Sequence, residues 1–119
     1  MRLPCRLATA GLLLCAACAT APTPTPDTTR LLDQGRAHLA LYEWDRAIEA
    51  LNSAIAIAPG DAEAYCLRGL VYASSPGSTA ARDAAITDYT RCLELDPSGP
   101  MADDAHKALD ALRAAAEPR

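Results

Sequence analysis

Residues 42–59 read YEWDRAIEALNSAIAIAP, and their pattern decides the fold. Apolar or small side chains fall at Trp44, Ala47, Ile48, Leu51, Ala54, Ile55 and Ala58, the three-and-four spacing of one helical face. Pro59 has no N–H with which to continue a helix, and Gly60-Asp61 turn the chain. The same pattern returns at 85–97 as AITDYTRCLELDP, again ending in a proline turn. Two copies of one helix with one kind of stop predict an all-α repeat protein.

Outward from that stretch, Asp27 or Thr28 is placed to cap a first helix running to about Leu41, with Leu31, Leu32, Gly35, Leu39 and Ala40 among its apolar and small positions. A short turn at Tyr42-Glu43 leads into the second helix. Asp61 caps a third over 62–73, and SSPGS at 74–78 reads as a loop. Ser78 or Thr79 starts a fourth helix that reaches Leu95. Pro100 is expected as the first residue of a fifth, with Asp103 and Asp104 where the helix dipole favours acids, and with its end near Ala116.

Gly35 and Gly69 lie 34 residues apart. The second copy sets Tyr65, Arg68-Gly69, Tyr72, Ala85, Tyr89 and Pro97 where the first has Leu31, Gln34-Gly35, His38, Ala47, Leu51 and Pro59. This pattern resembles the tetratricopeptide repeat: an aromatic, two residues, Leu-Gly, two residues, Tyr, then Ala, an aromatic and Pro. Arg68 and Gln34 stand where that family usually has Leu. The resemblance implies helical hairpins at 28–61 and 62–99, closed by a capping helix at 100–116. Glycine in one helix and alanine in its partner then let each pair approach closely. Beyond Tyr72 the offset grows to 38, as Ala47 to Ala85 shows, so four extra residues lie between Tyr72 and Ala85 and are expected to lengthen the loop. Each repeat buries its apolar face only against a neighbour, so so short an array is expected to be marginally stable alone, to form a homodimer, or to be completed by a partner.

The N-terminus has a different character. Arg2 and Arg6 precede an apolar run from Leu7 to Ala17, too short for a stable transmembrane helix and of signal-peptide length. The run ends in Cys15-Ala16-Ala17-Cys18, which resembles a bacterial lipoprotein leader, with Cys15 where Leu is usual. The resemblance implies cleavage of 1–17, lipidation at Cys18, and a membrane anchor. Cleavage after Ala19 is the alternative and would release a soluble protein. The segment 18–27 contains a Pro/Thr alternation that reads as an extended spacer. With Ala rather than Asp after Cys18, the lipoprotein resemblance implies the outer membrane, facing the periplasm. Loss of Arg2 and Arg6 takes the net charge from −4 to −6.

That charge argues against a nucleic-acid backbone or an anionic lipid surface as partner. Catalysis is poorly supplied: His38 and His106 are the only histidines, and neither has a ligand at metal spacing. No nucleophile elbow, phosphate loop or dinucleotide fingerprint occurs, so neither an enzyme nor a cofactor is expected. Cys66 and Cys92 fall inside the folded region, and helical phase aims them in different directions. Two separate buried thiols are therefore expected, with a bridge in an oxidising envelope as the alternative.

The tetratricopeptide resemblance implies a groove lined by the first helix of each pair, which by helical phase presents Leu32, Arg36, Leu39, Cys66, Leu70 and Ala73. Apolar groups outnumber charges there, suiting a hydrophobic partner helix or extended peptide. Leu70 alternatively packs beneath the capping helix. The expectation is a non-catalytic, membrane-tethered adaptor or assembly factor of the bacterial envelope, an accessory lipoprotein of a secretion, pilus or outer-membrane assembly apparatus. The alternative is a soluble periplasmic chaperone-like binder of exported chains.

Overall fold

A computed structural model describes residues 24–118. The leader, Cys18 and the first part of the spacer lie outside them. Five helices in chain order make up the described chain: α1 (Pro26–Ala40), α2 (Trp44–Ile57), α3 (Ala62–Ser74), α4 (Thr79–Leu95) and α5 (Ala102–Ala116). No strand occurs among the described residues. Successive helices pack as the hairpins α1–α2 and α3–α4, α2 also meets α3, α1 touches α3, and α5 closes the array against α4.

α1 begins earlier than the sequence reading places it. Thr25 is the N-cap, its hydroxyl accepting from the Thr28 N–H at 3.3 Å, and Pro26 takes the first turn, where its missing N–H costs nothing. The buried Thr28 hydroxyl donates back to the Thr25 carbonyl at 2.8 Å. At the other end Tyr42 adopts φ 59°, with Tyr42 N–H on Leu39 O at 3.0 Å and Glu43 N–H on His38 O at 2.9 Å. These are the two bonds of a Schellman stop, made with tyrosine in the place usually given to glycine. Asp61 caps α3 by accepting from Glu63 N–H, and Ser78 caps α4 by accepting from Ala81 N–H.

Two readings need correction. Pro100 is not the first residue of α5: it lies in a turn closed by Ala102 N–H on Gly99 O, and Met101 is the N-cap. Asp103 and Asp104 do sit in the first turn. The four extra residues of the second hairpin do not simply lengthen its loop. α4 is 17 residues long against 14 for α2, so three of them extend the helix and one lengthens the connection. Thr79-Ala80-Ala81-Arg82 contains good helix formers behind a serine cap, so helix is the lower-energy use of the insertion. The added turn has a contact of its own, because Arg82 Nη1 donates to Ala115 O near the end of α5, at 3.3 Å.

The interior has two parts. Leu32, Ala47, Leu51, Ala54, Ala64, Leu67 and Val71 form one, with Leu31, Leu39, Trp44, Ile48 and Ile55 packed against it. Cys66, Ala85, Tyr89, Cys92, Ala105 and Leu109 form the other. α3 contributes to both, from opposite faces. The close approach expected at the glycines is present: a Cβ at position 35 would lie 2.8 Å from Leu51 Cδ2, and one at 69 would lie 3.3 Å from the Tyr89 ring.

Candidate functional site

The six residues assigned to the groove divide by burial. Leu32 is 4% exposed and belongs to the first interior cluster, and Cys66 is fully buried in the second. Neither is free to meet a partner. Leu39 and Leu70 are half-buried, and Arg36 and Ala73 are exposed. Leu70 packs in the cluster that also takes Ala108 and Leu112 of the capping helix, so the alternative weighed for it describes part of its surface. Of the six, those still accessible are Arg36 and Ala73, with Leu39 and Leu70 in part.

Arg36 joins the two helices. Its Nη1 donates to Asp33 at 2.9 Å within α1, and its Nη2 donates to Glu63 at the start of α3. Both partners are substantially exposed, so the pair fixes register more than it stabilises. Nearby, burial pushes the Asp61 carboxyl above its ordinary pKa, against the opposing pull of the Ala64 N–H and Arg36.

Cys66 does not point into a groove because its sulfur is bonded to Cys92 of α4, with the two Cα atoms 5.3 Å apart. The expectation of two separate thiols is thereby corrected. Cys92 follows the spacing of Ala54, a small residue on the face of its helix turned toward the partner. Helix α3 turns Cys66 toward that same interface, and the close hairpin brings the two within bridging range. Cys92 also borders a cavity of about 460 Å³ between the α2–α3 turn and the α4–α5 connection, whose lining includes Asp61, Glu63, Asp96, Leu95 and Met101.

One cluster escaped the sequence reading. Arg68 donates from Nε and Nη2 to the two oxygens of Asp88, each at 2.7 Å, and from Nη1 to Asn52 Oδ1 at 2.8 Å. Asp88 is 3% exposed. The Asp88 carboxylate raises the Arg68 pKa above its ordinary value, with burial opposing it. The Arg68 and Arg91 guanidinium groups lie 5.6 and 6.0 Å from the centre of the Tyr65 ring, and the Tyr65 hydroxyl donates to Pro59 O. The signal was available: Arg68 stands where the repeat usually has Leu. His38, at the usual Tyr position, is half-buried with Nδ1 2.6 Å from Glu43 Oε2. Leu41 and Tyr42 are exposed beside Trp44, whose ring meets that of Tyr42 edge-on at 5.5 Å.

Among the described residues no three His, Cys, Asp or Glu side chains are grouped to hold a metal, and no helix is long and apolar enough to cross a membrane. The family model described as TPR repeat matches residues 35–75, from Gly35 in α1 through the end of α3. Taken with the two hairpins and the cap, the match defines an all-α, TPR-type helical repeat fold, a class whose repeats generally bind protein partners. No curated protein matches the chain.

Proposed function

We propose that this chain is a non-catalytic adaptor or assembly factor of the bacterial cell envelope. In this reading it is lipidated at Cys18, held at the outer membrane facing the periplasm, and serves as an accessory lipoprotein of a secretion, pilus or outer-membrane assembly apparatus. The observation that carries the binding part is the accessible side of α1 and α3. There Ala73 and the uncovered parts of Leu39 and Leu70 offer apolar surface, with the exposed Arg36 as the charged group, while Leu32, Cys66, Leu67 and Val71 of these helices are buried in the interior. An amphipathic helix or extended peptide with small apolar anchors suits such a strip. The Cys66–Cys92 bridge supports an envelope location, because stable disulfides belong to oxidising compartments. The leader resemblance supports the tether.

The test is crosslinking and capture in the native host with intact protein, Cys18→Ser and Ala73→Arg. Ala73 is exposed, so the arginine obstructs the strip without entering the interior. Capture of the components of one envelope machine, lost in both variants, supports the reading. A scatter of unrelated exported chains captured equally with and without Cys18 supports the soluble chaperone-like alternative.

A further inference from the structure

We infer that the Cys66–Cys92 bridge makes the second half of the array fold conditionally, so that reduction loosens α4 and α5 while α1, α2 and α3 stay folded. The two interior clusters differ in what they are made of. The first buries Leu32, Leu51, Leu67 and Val71, with Trp44, Ile48 and Ile55 alongside. In the second, Cys66 and Cys92 are two of only six buried side chains, and two of the others are alanines. Among buried side chains the first cluster therefore has four large aliphatic groups, whereas the second has one leucine and one tyrosine beside the bridge. Leu70, Ile86, Leu93 and Leu112 pack around it only half-buried.

Position matters as much as composition. The bridge joins α3 to α4 across the second hairpin, and Ala105 and Leu109 of α5 pack in the same cluster. α5 adjoins α4 and rests on it for most of its packing. The bridge thus closes a loop of 26 residues containing the whole inter-helix connection, and α5 depends on the geometry it sets. The Arg68–Asp88 pair also crosses this hairpin, but a buried ion pair gives little net stability against its desolvation. α3 keeps a second attachment, because Ala64, Leu67 and Val71 on its other face belong to the first cluster. Loss of the bridge therefore removes support from α4 and α5 and leaves α3 held from behind.

The redox step is a thiol–disulfide exchange. A dithiol reductant supplies two electrons and two protons, becomes a disulfide itself, and leaves Cys66 and Cys92 as thiols. Cys92, 3% exposed, is the bridge residue that lines the cavity between the α2–α3 and α4–α5 turns, so exchange is expected from that side, beside Asp61, Glu63 and Asp96.

Hydrogen exchange on the mature chain reads the outcome directly. It is run on the oxidised protein, on protein reduced in denaturant and refolded with a phosphine reductant, and on Cys66→Ala/Cys92→Ala. Amides of 79–116 are expected to exchange roughly 100-fold faster without the bridge, from the usual effect of opening a loop of this length. Those of 26–57 are expected to change by no more than a few-fold. Equal acceleration in both halves, complete unfolding, or no acceleration in the reduced protein overturns the inference. The alanine variant must match the reduced protein, and protection of 79–116 in it also counts against the inference.

Discussion

Arg68 on α3 and Asp88 on α4 meet as a two-bond fork, Nε and Nη2 each 2.7 Å from a different carboxylate oxygen. The acid is almost completely buried and the arginine partly so. A third bond from Arg68 to Asn52 of α2 makes this one side chain the meeting point of three helices. Its charge is tolerated because nearly every donor it turns inward has an acceptor.

Removing one partner is therefore expected to cost far more than removing both. Asp88→Ala should lower stability by about 3–5 kcal/mol, since it strands a guanidinium in the interface. The double variant Arg68→Leu/Asp88→Leu should recover most of that loss. Denaturant unfolding of the oxidised protein decides it. A double variant as unstable as Asp88→Ala would show that the pair is itself a main source of stability.

The two glycines should respond differently to alanine. At Gly35 the new methyl would lie 2.8 and 2.9 Å from Leu51 Cδ2 and Cγ, and Leu51 is fully buried. Crowding of that kind costs roughly 1–3 kcal/mol, more than the helix-propensity gain of about 1 kcal/mol in most of that range. At Gly69 the nearest atoms are at 3.3 Å, so Gly69→Ala should fall near zero. The expected order in a melting experiment is Gly35→Ala below wild type, with Gly69→Ala close to it.

Tyr89 sets an alkaline limit. Burial, with the Asp104 charge behind it, pushes its pKa from 10.0 up to about 12. Between those values the folded chain keeps a proton that the unfolded chain has released, so stability falls as pH rises. The contribution is whole below pH 10 and is lost as pH passes 12, to an extent of roughly 2–3 kcal/mol. Tyr89→Phe should remove this part of the slope. Unfolding midpoints between pH 9.5 and 11.5 would show it, and identical slopes in both proteins would rule it out.

Asp61 works in the opposite pH range. Its raised pKa means that folding holds its proton more tightly than the unfolded chain does. The associated stability is fully present below 3.8 and is lost as pH rises through the folded value. Asn caps as well as Asp, so Asp61→Asn should be nearly neutral at pH 7, whereas Asp61→Ala loses the cap bond and about 1 kcal/mol. Thermal melts of the two variants at pH 7 make the comparison.

The hairpins were legible because their determinants are local. Proline stops, serine and aspartate caps, and a glycine facing a leucine or tyrosine declare themselves within one or two helices. Arg68 was passed over and Cys66 misplaced for a shared reason. Helical phase says which face of its own helix a residue occupies, and it does not say which neighbour covers that face. The phase of its own helix placed Cys66 in the groove, and the side chain is instead covered by α4. The start of α5 went astray by two residues because Pro100 satisfies the rules for a turn as well as those for a first helical position. Cys18, outside the described residues, rests on sequence alone.

α3 carries Ala64, Leu67 and Val71 on one face and Cys66 on the other. The sequence divides into modules at Asp61, between one hairpin and the next, but the interior divides along the axis of α3. The unit that recurs is therefore not the unit that closes. Fragment complementation should reflect this: a chain cut at residue 60 divides the first cluster between its two pieces, while a cut within 75–78 leaves a three-helix piece that keeps all the buried members of that cluster. Genetic duplication of such an array is expected to proceed hairpin by hairpin, while its cooperative breakage proceeds half a hairpin out of step.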